Sequence, residues 1–178
     1  MNNHLFLFGH PEMAPTGFQA SLISRVQDDP RFEVRILSQE HGGIGFNARE
    51  EQQCIASVQS VTLHFPLFWY SMPAMVKEWI DTVFTLGWAF DQNGGLLTNH
   101  SFVCSVSIGA KLESYSSEGS NGHSLDTYLL HVQRTMSYAG MNYLGLVATD
   151  QIQPDAVELS ADRQFEAICQ KLGISAKA

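Results

Sequence analysis

Short apolar runs alternate with helical patterns along the chain, and this alternation restricts the fold more than any other feature of the sequence. The runs that have the length and composition of strands are residues 4–8, 32–37, 61–65, 102–107 and 143–149. The segments that predict helices are residues 17–27, 48–60, 73–84, 125–138 and 160–172. Because strands and helices alternate, we expect an α/β fold with a mostly parallel sheet covered by helices on both faces.

The number of strands narrows the topology further. Five parallel strands in a chain of 178 residues fit one domain, residues 1–178, with the flavodoxin-like strand order 2-1-3-4-5 in a three-layer sandwich. In this topology a ligand binds where the strand order reverses, at the loops after the first and third strands, with the loop after the fourth strand beside them. The three loops are residues 9–19, 66–72 and 107–122. We therefore expect one site at this end of the sheet.

The composition excludes several classes of function. The chain has 18 Asp and Glu against 10 Lys and Arg, a formal net charge of −8, which argues against nucleic-acid binding. Cys54, Cys104 and Cys169 form no C-x-x-C pair and are expected as free thiols in a reducing compartment. The sequence has no signal-peptide pattern, no uncharged apolar run that could span a bilayer and no metal-ligand spacing of histidines. These features predict a cytoplasmic protein without a metal site.

The most distinctive segment is residues 65–90, FPLFWYSMPAMVKEWIDTVFTLGWAF. It places a loop rich in aromatic residues directly after the third strand and then opens a helix near Ser71 and Pro73. Because ligands of open α/β sheets bind beyond the carboxyl ends of strands, this loop predicts one wall of a pocket for a flat, aromatic ligand. The wall residues are Pro66, Leu67, Phe68, Trp69 and Tyr70. The alternative is that these side chains belong to the core.

The first loop, GHPEMAPTGFQ, lacks the glycine patterns of both a Rossmann dinucleotide site and a P-loop. We expect Thr16 to cap the helix that follows. Thr16, Gly17, Phe18 and Gln19 would then present N–H groups and polar side chains at the positive end of that helix, where a terminal phosphate is stabilised. The alternative is that Thr16 is only a helix cap.

Taken together, the three loops resemble those of the flavodoxin-like NAD(P)H:quinone oxidoreductases, and most closely the bacterial ancillary proteins of glutathione-regulated potassium efflux systems. The family's first-loop pattern is met by His10, Pro11, Thr16 and Gln19. Its second-loop pattern, FP-x-x-WY-S-x-P followed by K-x-W-I-D-x-V and G-[WF]-A-[YF], is met by residues 65–90 almost completely. Its third loop, Thr-Thr-Gly-Gly with a later Tyr, corresponds to Ser107, Ile108, Gly109, Ala110 and Tyr115.

This resemblance implies a flavin cofactor and NADPH or NADH as the electron donor; the short chain favours FMN, with FAD as the alternative. It implies that residues 67–70 lie along the flavin ring, that residues 16–19 lie near the phosphate, and that residues 107–110 meet the pyrimidine edge through their backbone N–H groups. His10 is also implied as a cofactor-binding residue. Ala110 fits that role only if its φ is negative. Tyr115 is the implied catalytic donor, with loop packing as the alternative. The implied activity is two-electron hydride transfer from the nicotinamide to a quinone-like acceptor by a ping-pong mechanism.

The resemblance also implies partners. The family forms homodimers, and Trp88 and Phe90 would contribute to the wall shared with the second subunit, with core packing as the alternative. A different function is that of a regulatory subunit of a potassium efflux antiporter, which would hold the protein at the inner face of the membrane. A third is that of a flavodoxin-like protein in which the altered third loop has abolished flavin binding.

Overall fold

The computed structural model describes residues 3–12 and 16–175. In its first half the elements are β1 (His4–Phe8), α1 (Phe18–Gln27), β2 (Phe32–Ile36), α2 (Leu37–His41), α3 (Ala48–Ala56), β3 (Ser60–Pro66) and α4 (Ala74–Val83). In its second half they are β4 (Phe90–Asp91), β5 (Gly94–Gly95), β6 (Ser101–Ile108), α5 (Leu125–Tyr128), α6 (Leu130–Tyr138), β7 (Asn142–Asp150) and α7 (Val157–Lys171). The alternation of strands and helices expected from the sequence is confirmed.

The main sheet has five strands in the order β2-β1-β3-β6-β7, and every neighbouring pair is parallel. Counted by its main strands, this is the predicted order 2-1-3-4-5. The strand order reverses between β1 and β3, so the loops that leave these two strands open at the same edge of the sheet. The short strands β4 and β5 form a separate antiparallel hairpin between α4 and β6.

Alternate side chains of the strands pack into two apolar clusters, one on each face of the sheet. One cluster combines Phe6 and Phe8 of β1 with residues of α1 and α7. The other combines Leu5 and Leu7 of the same strand with residues of α3, α4 and α6. This arrangement gives the three layers that the sequence predicts. Within the described residues, no helix is both long enough and apolar enough to cross a membrane.

Three local features differ from the sequence-based expectation. A short helix, α2, occupies the start of the predicted loop 38–46, because Leu37 is buried and anchors it. The helix expected over residues 125–138 is divided at Leu129, whose φ of −98° and ψ of 9° depart from helical values. The last helix begins at Val157, earlier than expected, after one 3₁₀ turn that starts with Pro154.

A buried ionic cluster joins β2 to the helices α3 and α4. The Arg35 guanidinium lies 2.6 Å from Glu51 Oε1, and Glu51 is 2% exposed. The other oxygen of Glu51, Oε2, accepts a hydrogen bond of 2.9 Å from Trp79 Nε1, and Trp79 is completely buried. One carboxylate therefore satisfies both a partly buried cation and a buried indole N–H.

Candidate functional site

A crevice of about 600 Å³ opens at the carboxyl ends of β3, β6 and β7. This volume lies within the range of roughly 300–1,000 Å³ that small-molecule sites occupy. The residues that line it are Pro66, Leu67, Phe68, Ser107, Ile108, Gly109, Gln151, Ile152 and Gln153. The structure thus brings the predicted second and third loops together, and it adds the loop after β7, which was not expected. Because β7 pairs with β6, its carboxyl end opens at the same edge of the sheet.

The aromatic loop of the crevice is a tight turn. The N–H of Phe68 donates to the Ser71 carbonyl over 2.9 Å, and the N–H of Ser71 donates back to the Phe68 carbonyl over 3.0 Å. The two central residues, Trp69 and Tyr70, have φ values of 48° and 65°. Positive φ at both central positions is typical of type I′ turns, which usually contain Asn and Gly. A tryptophan and a tyrosine are costly there, so the turn holds them against local strain.

Backbone strain is concentrated at this end of the sheet. Among the described residues, the non-glycine residues with positive φ are Trp69, Tyr70 and Gln151, and the last has a φ of 39°. Trp69 is 93% exposed, so the alternative that it belongs to the core is wrong. Phe68 and Tyr70 are also exposed. Of the five predicted wall residues, only Pro66 and the half-buried Leu67 pack into the protein interior.

A cluster of tyrosines joins the second and third loops. The Tyr70 ring stacks on Tyr128 of α5 at 4.9 Å, and the Tyr115 ring meets Tyr128 edge-on at 5.9 Å. The Tyr128 hydroxyl donates to the Asn121 carbonyl, and the Tyr70 hydroxyl donates to Asn121 Oδ1 over 3.4 Å. Burial, with smaller contributions from Tyr70 and Tyr128, raises the pKa of Tyr115, so its phenol keeps its proton at neutral pH. Tyr128 was not among the expected site residues.

The first loop leads into helix α1, and the structure shows which residue begins that helix. Helix α1 begins at Phe18, and the N-cap is Gly17, with a φ of 56°; among the described residues no side chain caps the helix. The predicted capping role of Thr16 is therefore wrong, because Thr16 lies one position too early. Phe18 is buried in the core, so only its backbone is available to a ligand. Residues 13–15 of the predicted loop lie outside the described residues.

The N-terminus of α1 still has the features of an anion site. The Ser21 N–H donates to the Gly17 carbonyl over 3.1 Å, so the N–H groups of residues 18–20 precede the regular helical pattern. They form the positive end of a ten-residue helix. Gln19, on the first turn, donates from Nε2 to Ser107 Oγ over 2.9 Å. This bond fixes the start of α1 beside the third loop.

His10 connects the first loop to the second. Its Nδ1 accepts a hydrogen bond of 3.1 Å from the Glu12 N–H, and its ring lies 6.0 Å from Phe8 and 6.4 Å, edge-on, from Phe68. Burial lowers the pKa of His10, which favours the neutral ring. His10 therefore packs behind the aromatic loop as a neutral group.

A buried polar chain leads from the crevice into the sheet. Gln19 Oε1 lies 3.0 Å from His64 Nε2, and His64 Nδ1 lies 2.8 Å from Ser105 Oγ. Gln164 of α7 donates from Nε2 to the same Ser105 Oγ over 2.8 Å. His64 is completely buried and was not expected at the site, although a histidine inside an otherwise apolar strand is a signal that the sequence contains.

Burial lowers the pKa of His64 to about 3, and we expect this to appear in the stability of the protein. The unfolded chain binds a proton at His64 below its ordinary pKa of about 6.5, whereas the folded protein does not. Stability is therefore lost as the pH falls from about 6.5 towards 3, by up to about 1.4 kcal/mol per pH unit for this group.

Urea unfolding of the wild type and of His64→Gln between pH 4 and 7 measures this contribution. The variant should show a smaller loss of stability at low pH. His123→Gln, at an exposed position, is the control for removal of a histidine elsewhere. Equal pH dependence of His64→Gln and the wild type would contradict the assignment.

A family model described as "Flavodoxin-like fold" matches residues 2–172. The chain belongs to this flavodoxin-like family.

Relatives of this flavodoxin-like chain include named oxidoreductases. General stress protein 14 of Bacillus subtilis is 32% identical over 140 residues, 79% of this chain and 80% of the relative. A Bacillus subtilis protein named uncharacterized NAD(P)H oxidoreductase YrkL is 27% identical and covers 86% of this chain and 90% of its own length. The glutathione-regulated potassium-efflux system ancillary protein KefF of an Enterobacter strain is 28% identical, with 79% and 78% covered. These names confirm the predicted resemblance.

A solved structure has the same fold and a bound cofactor. General stress protein 14 of Treponema denticola, in complex with FMN, superposes with a TM-score of 0.88. It is 25% identical, and the match covers 95% of this chain and 99% of the other.

The third loop of this flavodoxin-like chain is not strained. Ala110 is not among the described residues with positive φ, so its backbone carries no penalty for a Cβ.

Ala110→Gly should therefore not tighten ligand binding, and it should lower the free energy of unfolding by about 0.4–1 kcal/mol because glycine increases the entropy of the unfolded chain. Urea unfolding and FMN titration measure the two effects. The reverse change at the neighbouring residue, Gly109→Ala, is the matched control, since a Cβ there meets no atom within 4 Å. Tighter FMN binding by Ala110→Gly would contradict this assignment.

Trp88 and Phe90 lie apart from the crevice. Both are half-buried and pack against the core cluster that contains α4. Trp88 meets Phe84 edge-on at 6.0 Å, and Phe90 lies 5.5 Å from Tyr138. Phe90 also lines a second cavity, of about 250 Å³, with residues of α4 and α6.

Proposed function

We propose that this chain is an FMN-dependent NAD(P)H oxidoreductase that passes two electrons, as hydride, from a nicotinamide to a quinone or similar acceptor. In the ping-pong order of this proposal, the oxidised nicotinamide leaves before the acceptor binds. One structural observation supports this proposal most strongly. The crevice beyond the carboxyl ends of β3, β6 and β7 joins an exposed aromatic turn to a loop of small residues, and the Gln19–Ser107 hydrogen bond holds an uncapped helix N-terminus beside that loop.

The residues present fit FMN. The crevice has room for a ligand of this size, and the first turn of α1 offers N–H groups to a phosphate. Among the described residues, the N–H groups of Gly109 and Ala110 donate to no acceptor, so they are free to meet polar atoms at a ring edge. When bound, FMN supplies the two-electron chemistry, taking hydride from the nicotinamide and giving it to the acceptor.

In this proposal the chain contributes binding, orientation and hydrogen-bond donors. Residues 67–70 hold the ring and exclude water from one side. Residues 107–110 direct N–H and O–H donors at the edge where negative charge develops. Tyr115 keeps its proton and offers its hydroxyl as a further donor. His10 supports the aromatic turn from behind.

The proposal is tested by purifying the protein with excess FMN or FAD, recording its absorption spectrum and identifying the released flavin. We expect a yellow protein that retains FMN and oxidises NADPH or NADH when menadione is present. Anaerobic reduction by the nicotinamide alone, followed by reoxidation with menadione, should resolve the two half-reactions. A colourless protein that neither retains flavin nor oxidises either nicotinamide would contradict the proposal and favour loss of flavin binding through the altered third loop.

We propose further that the protein forms a homodimer through the face that carries Phe90. On this face the cavity between α4 and α6, which has both apolar and polar lining residues, lies beside Tyr138, which is 59% exposed. The position of Trp88 and Phe90 near this face supports their predicted part in a wall shared by two subunits. Light scattering of the purified protein gives its mass in solution. A monomer at micromolar concentration would contradict this proposal.

A second candidate function is that of an ancillary subunit of a potassium efflux antiporter, and the relative named for that role supports it. In this case the cytoplasmic protein would sit at the membrane through its partner. Deletion of this chain should reduce potassium flux through a co-expressed antiporter. Unchanged flux would count against this function and leave the redox proposal unaffected.

A further inference from the structure

The buried polar chain of hydrogen bonds runs without a break from β7 and α7 to the crevice. Its successive members are Thr149, Gln164, Ser105, His64, Gln19 and Ser107. Ser105 and His64 are completely buried, and Gln164 is 1% exposed, whereas Ser107 lines the crevice. Because solvent does not reach the interior members, each of their polar hydrogens must find an acceptor inside the protein.

One end of the chain fixes the direction of every bond. Gln164 Nε2 lies 3.3 Å from the Val106 carbonyl, which can only accept, so this atom is the amide nitrogen. The same nitrogen donates to Ser105 Oγ over 2.8 Å. The Gln164 carbonyl oxygen in turn accepts from the Thr149 hydroxyl. Ser105 Oγ is thus an acceptor from Gln164.

The donor and acceptor roles of Ser105 determine those of His64, Gln19 and Ser107 in turn. Ser105 has one hydroxyl hydrogen, and His64 Nδ1 is the partner left for it, so Nδ1 accepts. A neutral imidazole with an accepting Nδ1 carries its proton on Nε2, which donates to Gln19 Oε1. Gln19 then directs its amide nitrogen to Ser107 Oγ and donates. Ser107 Oγ therefore accepts from Gln19, and the Ser107 hydroxyl hydrogen remains available to a ligand in the crevice.

We propose that His64 is a positioning residue that fixes the Ser107 hydroxyl as a hydrogen-bond donor to the ligand in the crevice. The opposite tautomer would reverse Gln19 and consume the Ser107 hydrogen, and it would leave the buried Ser105 hydroxyl without an acceptor. The proposal rests on FMN as the ligand for its redox consequence. A fixed donor favours whichever form of FMN carries more negative charge, which is the reduced form.

The tautomer is measured first in the protein without flavin. Nitrogen-15 NMR of the histidine side chains should give His64 a protonated Nε2 and an unprotonated Nδ1 between pH 5 and 8. Gln19→Leu removes the acceptor of Nε2 and should perturb the His64 resonances, whereas His123→Gln should not. A protonated Nδ1 at His64 would overturn the proposal whether or not the protein binds FMN.

The redox consequence is measured as the ratio of the dissociation constants of oxidised and reduced FMN. Ser107→Ala should lower the preference for reduced FMN on the order of tenfold, which for a two-electron couple is a midpoint potential about 30 mV more negative. His64→Leu should produce a similar shift, and the double variant should shift little further, because both changes remove one donor. His64→Gln, which retains a donor and an acceptor, should preserve the wild-type ratio.

The outcomes separate this inference from the proposed function. A wild-type ratio in His64→Leu, with a changed ratio in Ser107→Ala, would overturn the positioning role and leave FMN binding intact. Additive shifts in the double variant would also overturn it. Absence of FMN binding by the wild type would overturn the proposed function, and the histidine tautomer alone would then decide the direction of the chain of bonds.

Discussion

Replacement of Trp69 by alanine is expected to weaken FMN binding by about twofold to tenfold, because stacking of an aromatic side chain on a planar ring contributes about 0.5–1.5 kcal/mol beyond area burial. Trp69 is 93% exposed and follows Phe68, which lines the crevice, on a turn with positive φ, so its indole contributes little to the core and is free to contact a ligand. The dissociation constant of FMN, measured by quenching of flavin fluorescence, is the appropriate quantity.

Two further variants distinguish the loss of the indole ring from a distortion of the turn and from the loss of any exposed apolar side chain. Trp69→Gly removes the indole but suits the positive φ better than alanine, so it should weaken FMN binding to the same extent while preserving the turn. Ile44→Ala, at a position that is 97% exposed and outside the crevice, should leave FMN binding unchanged. An unchanged dissociation constant in both Trp69 variants would exclude Trp69 from the binding wall.

Replacement of Glu51 by alanine is expected to lower the free energy of unfolding by roughly 3 kcal/mol or more. Glu51 is 2% exposed and contacts both Arg35, at 2.6 Å, and the indole N–H of Trp79, at 2.9 Å. Its removal leaves a buried N–H without an acceptor and removes the closest counter-charge of Arg35. Arg35 keeps Glu40 at 2.8 Å, which limits the loss to the lower end of the range for broken buried ion pairs.

The neighbouring residue provides a matched control for this change. Glu50 also pairs with Arg35, at 3.5 Å, but its side chain is 55% exposed. Glu50→Ala should change stability by no more than about 1 kcal/mol, because exposed ion pairs contribute little. Urea unfolding at pH 7 compares the two variants with the wild type. Similar losses of stability in both would show that burial of the Glu51 carboxylate is not the cause.

The layout of the fold was predictable because it depends on patterns of apolar residues. The runs at β1, β3 and β6 are buried along nearly their whole length, and helix α4 buries Val76, Trp79, Ile80 and Val83 at helical spacing. Such patterns mark the positions that must be buried, and only a strand or a helix of the matching period places all of them on one face. The boundaries were less predictable, since Gly17 rather than Thr16 caps α1 and Leu129 divides α5 from α6. Both depend on local backbone angles.

The candidate site was predictable only in part. The aromatic loop and Ser107, Ile108 and Gly109 were placed at one crevice by topology alone, because parallel strands expose their carboxyl ends at one edge. Gln151 was not expected there, and its positive φ has no signature in the sequence. Tyr128 belongs to a helical pattern and contacts Tyr70 and Tyr115 only through the folding of a distant segment.

The sequence by itself determined the strand order, the two apolar faces and the end of the sheet where the crevice opens, because hydrophobic periodicity and connection rules act on every residue. The tertiary structure alone decided which polar side chains from different strands and helices form hydrogen bonds with each other. His64 lies 45 residues from Gln19 and 41 from Ser105, and its contacts with both exist only when β3, β6 and α1 are packed. A directed chain of hydrogen bonds depends on angles and distances of a fraction of an ångström, and no pattern of residue types records them.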